Sequence, residues 1–148
     1  MKIVVQRVKE ASCTVNSEII SSIKKGFLLL VGFTHEDTIE DVNYLAKKVA
    51  MLRVFEDENG KLNESILDKE YEILSISQFT LYGSAKKGNR PSFTDAMEPT
   101  KANQLYENLT QILINDYNIT TLQGAFGEHM DINLINDGPV TIILESKW

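Results

Sequence analysis

The run Phe27-Leu28-Leu29-Leu30-Val31-Gly32-Phe33 constrains the fold more than any other stretch of the chain, because seven consecutive residues carry no polar side chain. A strand with one wet face alternates apolar and polar residues, whereas a strand covered on both faces does not. The run therefore predicts a central strand with a layer packed on each side. Two segments can supply helical cover. Thr38 and Asp41 form a capping pair ahead of a stripe made by Ile39, Val42, Leu45, Ala46, Val49 and Leu52. The second segment opens at Pro99, a favourable first-turn residue, and presents Ala102, Leu105, Tyr106, Leu109, Ile112 and Leu113 on one face.

Further strands are expected at Ile3 to Val8, Arg53 to Phe55, Glu72 to Leu81 and Asn118 to Leu122, and in two alternating runs at 130–134 and 140–144. Interspersed strands and helices predict a layered α/β architecture with mixed sheets and two main helices. The 148 residues, 43% of them apolar, suit one domain spanning 1–148. Neither the polar turn at 56–61 nor the loop at 83–92 is long enough to divide it. No apolar run reaches the roughly 18 residues of a membrane span, and the opening Met1-Lys2-Ile3-Val4-Val5-Gln6-Arg7 does not read as a signal peptide. A cytoplasmic protein is expected.

Composition also narrows the chemistry. The single Cys13 excludes an internal disulfide and, in Ala11-Ser12-Cys13-Thr14-Val15, reads as a small buried strand residue. With His35 and His129 as the only imidazoles, no metal-ligand spacing is present, and neither a metal nor another cofactor is expected. Both histidines read as exposed loop or strand-end residues. A net charge of −6 argues against nonspecific coating of nucleic acid, although Lys86, Lys87 and Arg90 gather in one loop. Neither a nucleophile elbow nor a phosphate-binding P-loop occurs.

Two stretches remain as candidates for function. Ser77-Gln78-Phe79-Thr80-Leu81 crowds polar groups near the C-terminal end of a strand, where α/β folds tend to expose functional groups. Asn136-Asp137-Gly138-Pro139-Val140-Thr141 lies between two strand-like runs and admits two readings. It could be a hairpin turn, or it could hold a cis X-Pro bond whose carbonyls line a site.

Taken together and in order, Val5-Gln6-Arg7-Val8, Ser77 to Leu81, Asn89-Arg90-Pro91-Ser92-Phe93, Gly124-Ala125-Phe126-Gly127 and Asn136 to Thr141 resemble the D-aminoacyl-tRNA deacylase family from end to end. The resemblance implies a homodimer of three-layered (α/β/β) subunits with active sites at the interface, acting on the aminoacyl-tRNA 3′ end. It implies that Gly138 and Pro139, joined by a cis bond, enter the opposite subunit's site, where their carbonyls hold the substrate amino group and exclude an L side chain. Arg7 would fix the orientation of this motif, while Phe126 and Met130 would cradle the terminal adenine. Backbone N–H groups around Phe79 and Thr80 would stabilise the oxyanion, Gln78 would position substrate or water, and Ser77 would support the pocket. Thr80 has two readings: covalent nucleophile, or bystander to a reaction assisted by the ribose 2′-OH, the second being preferred.

One departure from the family pattern stands out. Glu128 and His129 follow Gly127, where the family commonly has a small residue. On composition alone a noncatalytic homodimeric module binding a small ligand or an RNA end is the competing reading. The joint presence of the Ser77 to Leu81 and Gly138-Pro139 motifs decides for the enzyme.

Overall fold

The computed structural model describes residues 1–147. In chain order it contains β1 (Lys2–Val15), β2 (Glu18–Ile23), β3 (Gly26–Gly32), α1 (Ile39–Met51), β4 (Phe55–Glu56), β5 (Leu62–Glu64) and α2 (Ile66–Lys69). These are followed by β6 (Glu72–Ser77), a 3-10 turn at Phe79–Tyr82, α3 (Pro99–Asn115), β7 (Thr121–Gln123) and β8 (Asp131–Glu145). The result is a single α/β domain with a mixed sheet and two main helices.

The principal sheet runs β2-β1-β3-β6-β7, with β8 added along β1. β1 is antiparallel to β2, β3 and β8, whereas β3, β6 and β7 are mutually parallel. The apolar run is β3, and it lies inside the sheet as its composition requires. Phe27, Leu29 and Val31 join α1 and α3 in one buried cluster, while Leu28 joins Cys13, Ile23, Leu74 and Ile76 in a second. Alternate residues of one strand thus feed two cores. Each fully buried Leu or Val contributes about 1.5–3 kcal/mol, which makes both clusters substantial.

The helices begin as their sequences predict. Asp41 Oδ2 accepts from the Thr38 N–H at 2.8 Å in a capping box. Pro99 occupies the first turn of α3, whose orphan N–H groups at Thr100 and Lys101 donate to the Glu98 carboxylate. Buried Val42, Leu45, Ala46 and Val49 on α1 face Ala102, Tyr106, Leu109 and Leu113 on α3 within the first cluster.

Several strand expectations change. β6 stops at Ser77, because the chain then turns into the 3-10 segment, so Phe79, Thr80 and Leu81 are not strand residues. β1 extends to Val15, and β2 and β5 had no sequence signal strong enough to assign them. The hairpin reading of Asn136 to Thr141 is also wrong. β8 passes through this stretch and pairs with β1 in the same antiparallel sense on both sides of it.

Candidate active site

β8 does not pass smoothly. Its partners on β1 change from Gln6↔Thr141 to Val8↔Asn136, so the four residues 137–140 stand opposite the single residue Arg7. The surplus leaves the ladder as a bulge carrying the exposed Gly138 and Pro139, whose peptide bond is cis. Two side chains brace it. Asn136 Oδ1 accepts from the Val140 N–H at 2.8 Å, and its Nδ2 donates to the Val140 carbonyl at 3.2 Å and to Thr141 Oγ1 at 3.1 Å. Arg7, only 6% exposed, donates from Nε to the Asp137 carbonyl and from a terminal nitrogen to the Val54 carbonyl, both at 2.8 Å. The Asp137 carboxylate lies 3.7 Å from the same Nε. Sequence reading missed Asn136 as a brace, although an amide at the base of a turn is its usual signal.

The second group of residues forms at the other end of the sheet. The Gln78 N–H donates to the Val31 carbonyl at 2.7 Å, closing β6 against the end of β3. The first bond of the 3-10 turn then runs from the Leu81 N–H to the Gln78 carbonyl at 3.3 Å. The N–H groups of Phe79 and Thr80 lie ahead of it, where a helix start leaves donors without an intrahelical acceptor. The Gln78 side-chain amide donates to the Thr80 hydroxyl. The Phe79 ring meets Phe93 edge-on at 5.3 Å, and the close fit needs Gly83, since a Cβ there would lie 2.8 Å from the Phe93 ring.

A cavity of about 390 Å³ opens beside this turn. Ser77, Gln78 and Phe79 form one wall, Phe33, Met97 and Ala102 the apolar floor, and Phe93, Phe126 and Gly127 the remaining sides. Ser77, Gln78, Phe79 and Gly127 also border a second cavity of about 240 Å³, completed by Ile76, Glu128, His129, Met130 and Ile132. Glu128 and His129 are exposed, and His129 pairs with Asp131 at 3.4 Å. His35 proves to be a fastener: its Nε2 donates to the Thr94 carbonyl at 2.6 Å, holding the segment that ends in the floor residue Met97.

The loop bearing Phe126 is fixed from beneath. Tyr106 packs its ring 5.8 Å from that of Phe126 and donates its hydroxyl to the Ser75 carbonyl at 2.5 Å. The Gly124 N–H donates to the same carbonyl at 3.1 Å. Burial pushes the Tyr106 phenol well above its usual range, so it remains a neutral donor. A Cβ on Gly124 would lie 2.6 Å from the Met130 sulfur, which itself accepts from the Ala125 N–H at 3.4 Å. Cys13 lies below, fully buried, and its burial raises the thiol pKa, the opposite of a reactive nucleophile.

The structure therefore brings Ser77, Gln78, Phe79 and Phe126 to one cavity and Met130 to its neighbour. Thr80 lines neither, standing exposed on the turn. Arg7, Gly138 and Pro139 are elsewhere. Arg7 pairs with Phe27 and Ser77 with Val31, a separation of four strand positions, or about 13 Å along β3. Among the described residues no group of three or more His, Cys, Asp or Glu side chains converges as a metal site would require. What the turn and cavity can do chemically is hold an apolar group against a strand end while presenting backbone N–H groups and one amide to a polar centre.

The family model and the similar sequences point to one family. The family model for D-Tyr-tRNA(Tyr) deacylase matches residues 4–145. A D-aminoacyl-tRNA deacylase of Exiguobacterium sibiricum is 57% identical over 145 residues, covering 98% of this chain and 99% of its own. Its counterpart in Bacillus cereus is 54% identical over 147 residues, covering 99% and 100% respectively. Among solved structures, a c-Myc DNA unwinding element binding protein superimposes with a TM-score of 0.93 at 46% identity, with 98% of each chain covered.

Proposed function

The chain belongs to the D-aminoacyl-tRNA deacylase family and is a hydrolase of D-aminoacyl-tRNA, and we propose that two copies build each of its active sites. The noncatalytic-module reading is thereby set aside. The observation that carries the proposal is the separation within one subunit of the Gly138-Pro139 bulge from the Ser77 to Thr80 turn. Each end of the sheet holds half of the motif pair. A second copy, turned so that its bulge meets this cavity, supplies the missing half and receives the same in return, as a two-fold interface does. Support also comes from β8, which among the described residues is paired with β1 alone and leaves one long edge open, with Ile135 and Ile143 exposed along the strand.

In this reading the terminal adenine rests against Phe126 and Met130, and the scissile ester lies over the 3-10 turn. Attack of water on the ester carbonyl creates an oxyanion, which the N–H groups of Phe79 and Thr80 receive. Gln78 orients the water or the substrate, and Ser77 supports the wall. An aminoacyl ester is already activated, so positioned donors and an assisting ribose 2′-OH suffice.

Stereochemistry follows from the partner's bulge. The Gly138 and Pro139 carbonyls hold the α-amino group, and the backbone stands where an L side chain would point. A D residue places only hydrogen there, so rejection is steric. Glycine has no side chain to reject, so glycyl-tRNA is also a substrate.

The test is a side-by-side deacylation of D-tyrosyl-tRNA, L-tyrosyl-tRNA and glycyl-tRNA, with sedimentation velocity on the same preparation. A dimer that clears the D and glycyl esters and spares the L ester is expected. An active monomer, or equal hydrolysis of D and L esters, would overturn the shared-site proposal.

A further inference from the structure

The loop between Ser84 and Ser92 is absorbed by neither cavity. Its two ends are locked together, with the Ser84 N–H donating to the Ser92 carbonyl and the Ser92 N–H to the Ser84 carbonyl, each at 2.8 Å. Its base is seated on the turn that bears Phe79, through Phe93 against Phe79 and Gly83. The seven residues 85–91 reach at most about 12 Å beyond the lock if they run straight out and back. Lys86, Lys87 and Arg90 are all exposed in this short span and form no ion pair among the described residues. From residue 73 to residue 94 the chain has no Asp or Glu, although its overall charge is −6. The loop is thus a cationic finger of limited reach, fixed beside the candidate reaction centre.

Resting on the proposed function, we infer that Lys86, Lys87 and Arg90 bind the phosphates of the single-stranded 3′ tail of the tRNA, those nearest the scissile ester. Charge sets the class of partner, because three exposed cations without counter-ions match a phosphodiester chain. Position selects the part of the tRNA. With the ester over the 3-10 turn, the first phosphates upstream lie within the loop's reach, and a more distant duplex does not. The number of cations limits the contacts to about three. Such contacts carry no base information, so they suit an enzyme that must accept many tRNAs. They also let an acidic protein take up a polyanion, because these three cations stand together in a stretch that carries no Asp or Glu.

The experiment compares the full-length protein with its Lys86→Gln/Lys87→Gln/Arg90→Gln variant on D-tyrosyl esters of intact tRNA, of the 5′-phosphorylated trinucleotide CCA, and of adenosine alone. Neutralising three contacts to a single strand should lower the slope of log affinity against log salt by about 2, and weaken binding by about 10- to 100-fold near 0.1 M salt. The expected pattern is a rise of that size in KM, with kcat retained, on both tRNA and trinucleotide, and no change on adenosine, which has no phosphate. Loss on tRNA alone would place the contact in the stem and overturn the inference. Equal activity of both proteins on all three esters would reduce the loop to a solvated surface. A loss on the adenosine ester would show that the substitutions damage the turn itself, also against the inference. Failure of the unsubstituted protein on every ester would instead overturn the functional reading.

Discussion

Arg7 and Asp137 are 130 residues apart in sequence, yet the Arg7 guanidinium donates to the Asp137 backbone carbonyl at 2.8 Å. The same side chain reaches the Val54 carbonyl, so one buried cation ties the bulge of β8 to the approach to β4. Both acceptors are main-chain oxygens, which makes the guanidinium a brace for backbone geometry. Arg7→Ala leaves two carbonyls without their donor. Hydrogen bonds from a charged group contribute about 1.5–3 kcal/mol each, so a loss of about 3 kcal/mol is expected in urea unfolding. Arg7→Lys retains the charge but not the fork, and should recover under half of that. If the bulge acts as the chiral wall, the lysine variant also loses discrimination between D- and L-tyrosyl-tRNA, measured as a ratio of kcat/KM values.

Tyr106 gives a second prediction, because its two functions can be separated. Tyr106→Phe keeps the ring beside Phe126 and deletes the hydrogen bond to the Ser75 carbonyl, which retains the Gly124 N–H as donor. The expected cost is about 1 kcal/mol of stability. Tyr106→Ala also removes the ring and should cost about 3–5 kcal/mol. Since the ring supports the loop carrying Phe126, the alanine variant should raise KM for D-aminoacyl-tRNA severalfold while kcat stays nearly constant, whereas the phenylalanine variant, which keeps the ring, should leave both nearly unchanged. Steady-state kinetics with both variants would show whether the hydroxyl matters to substrate binding.

These two residues illustrate what the sequence can and cannot disclose. The periodic stripes of α1 and α3, their caps and the doubly covered β3 follow from local patterns and appear where expected. Tyr106 was readable as a core residue, but its hydroxyl partner was not, since Ser75 lies 31 residues away and offers only a carbonyl. The hairpin reading of Asp137-Gly138 failed for a related reason. Local turn chemistry is satisfied equally by a reversal and by a four-residue bulge, and only the pairing of β1 along both halves of β8 decides between them. The strand expected through Leu81 failed because the bond from the Gln78 N–H to the Val31 carbonyl is the last of the β3–β6 ladder, after which the Leu81 N–H donates to the Gln78 carbonyl and the chain turns. Resemblance supplied the partition of roles between the two motifs; the fold supplied the distance that separates them.

Acid should act on the helix starts. Burial pushes the Asp41 carboxyl up, but hydrogen bonding from the Thr38 N–H and from Ser146, with the Lys147 and N-terminal charges, brings it below its ordinary range. Hydrogen bonds from the Thr100 and Lys101 N–H groups lower Glu98 in the same way. A carboxyl whose folded pKa is depressed stabilises the fold above its unfolded pKa and ceases to do so as pH falls through the folded one. Urea midpoints should therefore be level above about pH 5 and decline from about pH 4 downward. Asp41→Asn should cost about 1 kcal/mol at neutral pH and flatten part of that decline. A decline of unchanged steepness in the asparagine variant would count against Asp41 as a source.

Substitution of Thr80 separates the two readings of the chemical step. The Thr80 hydroxyl accepts from the Gln78 amide, and among the described residues the only ionisable side chains bordering the two cavities are Glu98, Glu128 and His129. None of them hydrogen bonds to Thr80, and His129 is 93% exposed and paired with Asp131. An alcohol with no base to take its proton is a poor nucleophile. Its removal should then matter less than removal of the substrate's own hydroxyl. Thr80→Ala is expected to keep kcat for D-tyrosyl-tRNA within about tenfold, while a D-tyrosyl ester on a 2′-deoxyadenosine terminus should be cleaved at least about 100-fold more slowly, the usual scale of lost proton-transfer assistance. A rapid-quench search for a protein-bound D-tyrosyl ester adds an independent readout. An acylated Thr80, or loss of activity in a folded Thr80→Ala protein with the deoxy substrate still cleaved normally, would assign the attack to the threonine.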